Sequence, residues 1–263
     1  MTEDFRHKLL ADIKKTGYPI ELEVGNIISK HSKNVNYNQY YFDKDEQKGN
    51  EIDVTANMNS YSENVLVGLN LICEVKKSPE RPWVIFSTRR TSIEYEGYLR
   101  MHYGVGVDAN ILSFEDMQKK ATSTEFSRIG RSYYEGFKSD DQRSQIFKAL
   151  TSAVKASEEC AERNDPNSEE NKDWRIEGQV QISFVEPIVV LDGLLFEAYL
   201  DEKDTLKLDQ IDYIPISFGY ISSQYKRSGY LVDVVTIKEL PNLLSGKQAW
   251  IDYMKDAIVR QLQ

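Results

Sequence analysis

The sequence predicts a single α/β domain built on a mixed β-sheet. Three observations carry the prediction. Segments with helical spacing open the chain, fill its middle and close it. Two groups of strand-like segments lie between them. No internal repeat or low-complexity linker divides the 263 residues. Helices, strands, helices, strands and a last helix is the order expected when late strands join early ones in one sheet. The charged, turn-rich stretch at residues 164–173 is the best candidate for an internal boundary, but the expectation is one domain over 1–263.

Residues 3–15 place Phe5, Leu9, Leu10 and Ile13 at helical spacing, and "TGYP" ends that helix. Pro19 suits the first turn of a second helix, whose apolar face is Ile20, Val24, Ile27 and Ile28. "NVNYNQYYF" and "NEIDVTANM" read as paired strands, and the polar "DKDEQKGN" between them has hairpin chemistry. "VLVGLNLICEVKK" is the most apolar strand pattern of this half and is expected at the sheet centre; "PWVIFS" reads as a further short strand. Helical patterns follow over 92–103 (Tyr95, Leu99, Met101), 113–120 and 139–163. The last carries a stripe of Ile146, Phe147, Leu150, Ala153 and Val154 and runs into an exposed loop. Strands return in "QVQISFVEPIVVLDGLLFEAYL", with a turn expected at "LDG", then in "YIPISFGY" and "GYLVDVVTIKEL". A final amphipathic helix over 244–262 carries Trp250, Met254, Ala257 and Ile258.

Bulk properties exclude several classes. The formal net charge of −9 argues against a protein held on nucleic acid by overall charge, though not against an enzyme with a locally basic groove. Cys73 and Cys160 are too few for a disulfide framework or a four-ligand zinc site, and free thiols fit a reducing cytoplasm. "MTEDFRHKLL" lacks the basic start and apolar core of a signal peptide, and no stretch has the apolar length of a membrane helix. A cytoplasmic protein without a membrane partner is the expectation. His7, His31 and His102 are scattered, and neither a phosphate-binding GxGxxG or GK[ST] nor a GxSxG context occurs.

The charged residues that stand out lie inside strands. Side chains alternate across a strand. In "EIDVTA", Ile52, Val54 and Ala56 share one face, and Glu51, Asp53 and Thr55 the other. In "LNLICEVKK", Leu69, Leu71, Cys73 and Val75 share one face, and Asn70, Ile72, Glu74 and Lys76 the other. If the two strands are neighbours, Asp53, Glu74 and Lys76 meet at one edge of the sheet. Burying any of them unpaired costs several kcal/mol. Together with a divalent cation they satisfy one another. Magnesium prefers oxygen ligands completed by water and substrate phosphate, and Asp53, Glu74 and the main-chain carbonyl of Val75 are the oxygens on offer. Lys76 is then placed to orient or deprotonate a water, or to steady charge on a phosphate.

An Asp in one strand, then Glu-x-Lys in an apolar strand about twenty residues later, with an acid-bearing helix upstream, resembles the PD-(D/E)XK nuclease superfamily, near its Mrr-type branch. "GYPIELEV", "NEIDVTA" and "CEVKKSPERPW" carry the resemblance, which covers the first 90 residues or so. It implies a restriction-endonuclease-like mixed β-sheet core flanked by helices, elaborated here by C-terminal strands and a terminal helix. It makes Asp53 the metal-binding aspartate, Glu74 the second acid, Lys76 the catalytic lysine and Glu21 the acid of the preceding helix. Glu23 is an alternative to Glu21, and Glu51 reads as a solvated neighbour. Ile52 stands where the name of the superfamily has proline. The implied activity is Mg2+-dependent hydrolysis of phosphodiester bonds, with Mn2+ able to substitute, in DNA rather than RNA, in restriction or another defence against foreign DNA. The alternative is a nuclease fold without activity, serving as a nucleic-acid-binding or scaffold module. A homodimer stays open, and protein partners are unspecified.

Downstream of the catalytic strand the chain is locally positive, with Lys77, Arg81, Arg89, Arg90 and Arg100 against Glu80, Glu94 and Glu96. These cations are the candidate phosphate contacts, Arg89 and Arg90 first among them.

Overall fold

The computed structural model describes residues 2–90, 101–105, 128–138, 144–165 and 179–263, with the backbone alone at 101–105. Among these residues the protein is a mixed α/β structure of four helices and one nine-stranded sheet. Helices α1 (Glu3–Ile13) and α2 (Tyr18–Ile28) lead into strands β1 (Asn34–Asp43), β2 (Lys48–Tyr61), β3 (Val65–Arg89), β4 (Met101–Val105) and β5 (Arg128–Glu135). Helix α3 (Gln145–Arg163) is followed by β6 (Val180–Leu200), β7 (Leu206–Ile211), β8 (Tyr213–Gly219), β9 (Gly229–Thr236) and α4 (Leu240–Leu262).

β3 is the spine. Its apolar run is buried on both faces, as a central strand requires. One edge pairs in parallel with β6 almost throughout, from Val65↔Val180 to Phe86↔Ala198. The other edge is shared. Antiparallel β2 occupies it from Leu66 to Cys73, and antiparallel β5 from Trp83 to Arg89. β5 bridges β8 at Gly130↔Ile216, β8 pairs with β9, and β9 returns to β6, so the pairings β3–β5–β8–β9–β6 close on themselves. A Cβ at Gly130 would stand 2.6 Å from the Ile85 side chain and 2.9 Å from that of Ile216, so this narrow closure needs a glycine.

Two cores lie on opposite faces. The first packs α2 and α4 on Val54, Ala56 and Met58 of β2 and the odd-numbered residues Val65–Val75 of β3. The second packs α3 through Ile146, Ala149, Leu150, Ala153 and Val154 on Ile52, Ile72, Trp83, Ile85 and the inner faces of β6, β8 and β9. Each covering helix is also held by a buried lysine. Lys247 of α4, 1 % exposed, binds Glu186 and Asp233. Lys155 of α3 binds both carboxylate oxygens of Asp43 at 2.9 Å and Asp45 at 3.0 Å. Removing one partner of such a pair strands the other charge, at a cost of about 3–5 kcal/mol.

Several expectations are corrected. "PWVIFS" belongs to β3, which passes Ser78–Trp83 with a register shift rather than ending. β6 runs through Asp192 and Gly193 without a turn, because Ser78 pairs with Gly193 and keeps the strand extended. Residues 101–105 are strand, paired with β6, where helical spacing had included Met101; the remainder of the 92–103 helix, and the 113–120 helix, lie outside the described residues. The last helix starts at Leu240, earlier than its stripe suggests. Phe147 is 46 % exposed rather than core. α1 buries none of Phe5, Leu9, Leu10 or Ile13. Among the described residues no helix is long and apolar enough to cross a membrane.

Gly193 sits where β6 passes closest to the bulged part of β3. A Cβ there would lie 2.6 Å from the carbonyl oxygen of Ser78. Backbone cannot swing aside as a side chain does, so Gly193→Ala is expected to lower the unfolding free energy by about 1–3 kcal/mol. Urea denaturation checks this, and unchanged stability would show that β3 and β6 part freely at Ser78.

Candidate active site

The site forms where β2 leaves β3. Val54↔Cys73 is the last pair of that ladder, and β5 does not join the edge until Trp83. On the β1 side, the partner position to Asp53 is Asn38, whose φ of 52° interrupts the β1–β2 ladder between Tyr37↔Val54 and Gln39↔Ile52. Asn tolerates this left-handed conformation better than most residues. The hairpin turns at this point. Val54 packs in the core of α2 and α4, while Ile52, two residues earlier, packs in the core of α3. The single apolar face expected for Ile52, Val54 and Ala56 is therefore split between two cores, and Asp53 stands at the pivot.

Asp53 fills the gap. Its Oδ2 accepts the main-chain N–H of Val75 at 2.6 Å. In an extended strand a residue's N–H and C=O point to the same side, so the Val75 carbonyl faces the same gap. Glu74, 6 % exposed, accepts from Lys76 Nζ through Oε1 at 2.5 Å and from Ser152 Oγ through Oε2 at 3.0 Å. Lys76 is half-buried beside it.

The electrostatics tie Glu21 to the same cluster. Burial raises the Glu21 carboxyl, the charge of Asp53 raises it further, and the side chain of Asn38 and the charge of Lys76 oppose this. Burial likewise raises Asp53 against the pull of Lys76 and the Val75 amide. Burial pushes Glu74 up to about 7, with Asp53 adding to the shift and Lys76 resisting it. Burial disfavours the charged form of Lys76, but Glu74 and Asp53 outweigh it and hold the ammonium above its usual range. Three carboxyls thus share one ammonium in a desolvated pocket. Glu23 is exposed on α2 and Glu51 exposed on β2; Glu51 raises both Asp53 and Glu21.

The structure brings Glu21, Asp53, Glu74, Val75 and Lys76 together. The candidate phosphate contacts Lys77, Arg81 and Arg89 each have a partner outside this group. Lys77 Nζ donates to the carbonyl of Lys14 at 2.7 Å. Arg81 binds the buried Glu135 at 3.3 Å, and Arg89 binds Glu202 at 3.2 Å in full solvent. Counting along the partner strand β6, Arg89 lies ten residue steps beyond Lys76, roughly 33 Å at ~3.3 Å per residue. Arg90 follows it, and Arg100 lies outside the described residues. Three contributors were not singled out from the pattern. Ser152 comes from α3, Tyr41 is buried beside Ser152 and in the field of Glu74, and Asn38 supplies the kink. An asparagine inside a strand pattern is the one hint that was legible. A groove of ≈ 640 Å³ between the β1–β2 hairpin and the first half of α3 runs past Asn50, Glu51, Phe147 and Lys148 to Ser152.

Among the described residues no three His, Cys, Asp or Glu side chains are arranged to hold a metal ion by themselves. Magnesium asks less of a protein, commonly one or two carboxylates beside waters and a phosphate. A buried and a half-buried carboxyl, both of raised pKa, and an in-facing carbonyl fit that demand.

Scans of the chain against protein-family models, curated proteins and solved structures give no match.

The raised Glu74 carboxyl makes folding stability depend on pH. Its folded pKa exceeds the unfolded value of about 4.5, so the stability linked to its proton is complete below that value and is lost as pH rises through about 7. The cation-free protein is expected to lose up to about 3 kcal/mol between pH 4.5 and 8 from this group. Glu74→Gln should flatten that dependence and be the more stable protein at pH 8. Chemical denaturation of both at several pH values tests it; parallel curves would mean that Glu74 is ionised throughout.

Proposed function

We propose that the protein is a metal-dependent nuclease of the PD-(D/E)XK type, on a restriction-endonuclease-like core, that hydrolyses phosphodiester bonds, DNA being the preferred substrate and defence against foreign DNA the setting. The observation that carries the reading is the convergence of Glu21, Asp53, Glu74 and Lys76 where β2 separates from β3. The ion clusters around Lys247 and Lys155 set one buried lysine between two carboxylates each. This one has three carboxyls for one lysine and is partly open, which suits a missing positive partner.

Asp53, Glu74 and the Val75 carbonyl would hold a magnesium or manganese ion. When bound, the ion supplies positive charge to the phosphate and acidifies a water. Lys76 keeps its proton at neutral pH, because Glu74 and Asp53 stabilise the ammonium against burial. That favours a role in steadying charge on the phosphate over a role as base. Ser152 and Lys76 between them fix both oxygens of Glu74, which leaves the carboxylate little rotational freedom. The groove past Lys148 is the approach for the strand, and Arg89 and Arg90 would meet a duplex about nine or ten base pairs away, at 3.4 Å per pair.

The test is incubation of plasmid, linear and single-stranded DNA, and of RNA, with purified protein and Mg2+, Mn2+ or Ca2+. Cleavage is expected with the first two ions and binding with little cleavage in calcium, whose looser shell misplaces the water. Asp53→Ala, Glu74→Ala and Lys76→Ala should each reduce cleavage by about 100-fold or more while circular dichroism shows the fold retained. Wild-type rates in Lys76→Ala, or full activity in excess chelator, would overturn the reading.

Binding of the cation should also release the Glu74 proton. With one group near 7, Mn2+ affinity is expected to rise about tenfold between pH 6 and pH 8, followed by calorimetry. A pH-independent affinity would remove Glu74 from the ligand set.

A further inference from the structure

The sheet face beneath α3 carries a second feature beside the acidic cluster. Strand register sets its polar side chains in rows across β1, β2 and β3. One row is Asn34, Asn57 and Asn70, and the next is Asn36, Thr55 and Ile72. Continuing the register, Asn38, Asp53 and Glu74 stand in the third row, where the pairing breaks. A cavity of ≈ 200 Å³ lies over the first two rows, closed by the C-terminal half of α3 and rimmed by Tyr40, which is 68 % exposed. Rows two residues apart are separated by about 7 Å, so the cavity begins one short step from the acidic row.

The lining has a distinctive chemistry. Carboxamides make up most of its polar part, with no Asp or Glu and with Arg163 as its one cation, itself ion-paired to Glu159. A sheet face covered by a helix is ordinarily apolar, as Ile52 and Ile72 are here. A carboxamide offers donors and an acceptor in one plane without net charge. That matches the edge of a nucleobase and gives little hold on a phosphate, which calls for cations.

We propose that this cavity receives an unpaired nucleobase attached to the phosphodiester that the acidic cluster acts on, so that the substrate is nucleic acid single-stranded at the cleaved position. The proposal rests on the nuclease reading of the neighbouring cluster. A base inside a duplex has its pairing edge engaged and its faces stacked, and it enters a pocket only when freed from both. Asn34 and Asn36 lie exposed on the β1 edge, where such a base would enter, and Tyr40 offers a face on which it would stack. The acidic row then meets the phosphate while the neutral rows hold the base.

The experiment uses the full chain carrying Asp53→Ala, which binds without turnover. Fluorescence anisotropy compares a labelled 12-nucleotide single strand of mixed sequence, the same strand in a blunt duplex, and an abasic strand of equal length, over a salt series. The single strand is expected to bind about tenfold tighter than either alternative. Adding Asn34→Ala and Asn36→Ala should weaken single-strand binding about fivefold with the log–log salt slope unchanged, since no phosphate contact is lost. Equal binding of the abasic strand or of the duplex overturns the proposal, as does a folded double variant that binds like its parent. Should that variant misfold, the abasic comparison decides alone. Cleavage by the unmodified protein is scored separately. Base-dependent binding without any cleavage keeps the pocket and removes the nuclease, and cleavage with base-independent binding does the reverse.

Discussion

The main-chain amide of Val75 needs an acceptor that no neighbouring strand provides. β2 has turned away after Cys73, and β5 has not yet arrived at Trp83. A buried N–H left without a partner costs about 1–3 kcal/mol. Asp53 meets the demand with its carboxylate, and in doing so it is held at the mouth of the gap. The break in the ladder and the placing of the acid are one event. A strand that continued to pair would bury the edge, and a strand that broke without Asp53 would leave the edge unsatisfied. The kink at Asn38 permits the departure, because it lets the hairpin serve one core before Asp53 and the other after it.

Charge is then concentrated where backbone is scarce. Glu74 is drawn in by the apolar strand that carries it, and Ser152 of α3 and Lys76 hold it there. Neither contact suffices to keep its carboxyl at an ordinary pKa, so the cluster has an appetite for positive charge. The lysine clusters under α4 and α3 have the opposite character. Their distances are short, their lysines are sealed from solvent, and they fix a helix to a sheet. Both kinds look alike in a sequence. They differ in accessibility and in the surplus of acid, which only the packed structure displays.

How much was legible follows from which forces are local. The β1–β2 hairpin, the central place of β3 and the shared face of Glu74 and Lys76 follow from alternation and turn chemistry, which act over a few residues. The alternation argument failed at Ile52 because it assumes an unbroken pleat, and Asn38 breaks it. Ser152 and Tyr41 could not be reached, since α3 meets β3 only through tertiary packing. β7 was missed because its alternation buries nothing, being exposed along most of its length. The apolar spacing of α1 reads as a core-facing stripe, yet all four residues face outward. Periodicity reports a preferred face without reporting what covers it.

The parallel ladder of β3 with β6 has a consequence for biosynthesis. Glu21, Asp53, Glu74 and Lys76 leave the ribosome early, but Leu71–Ser78 reach their ladder partners only when Glu186–Gly193 emerge. At ~5–20 residues per second that delay is on the order of ten seconds. Through this interval β3 is an apolar strand with an open edge, a state prone to pairing with the wrong partner. The nascent chain therefore holds every member of the cluster well before it can hold the cluster, and whatever chemistry the four residues perform waits for Glu186–Gly193 to be made.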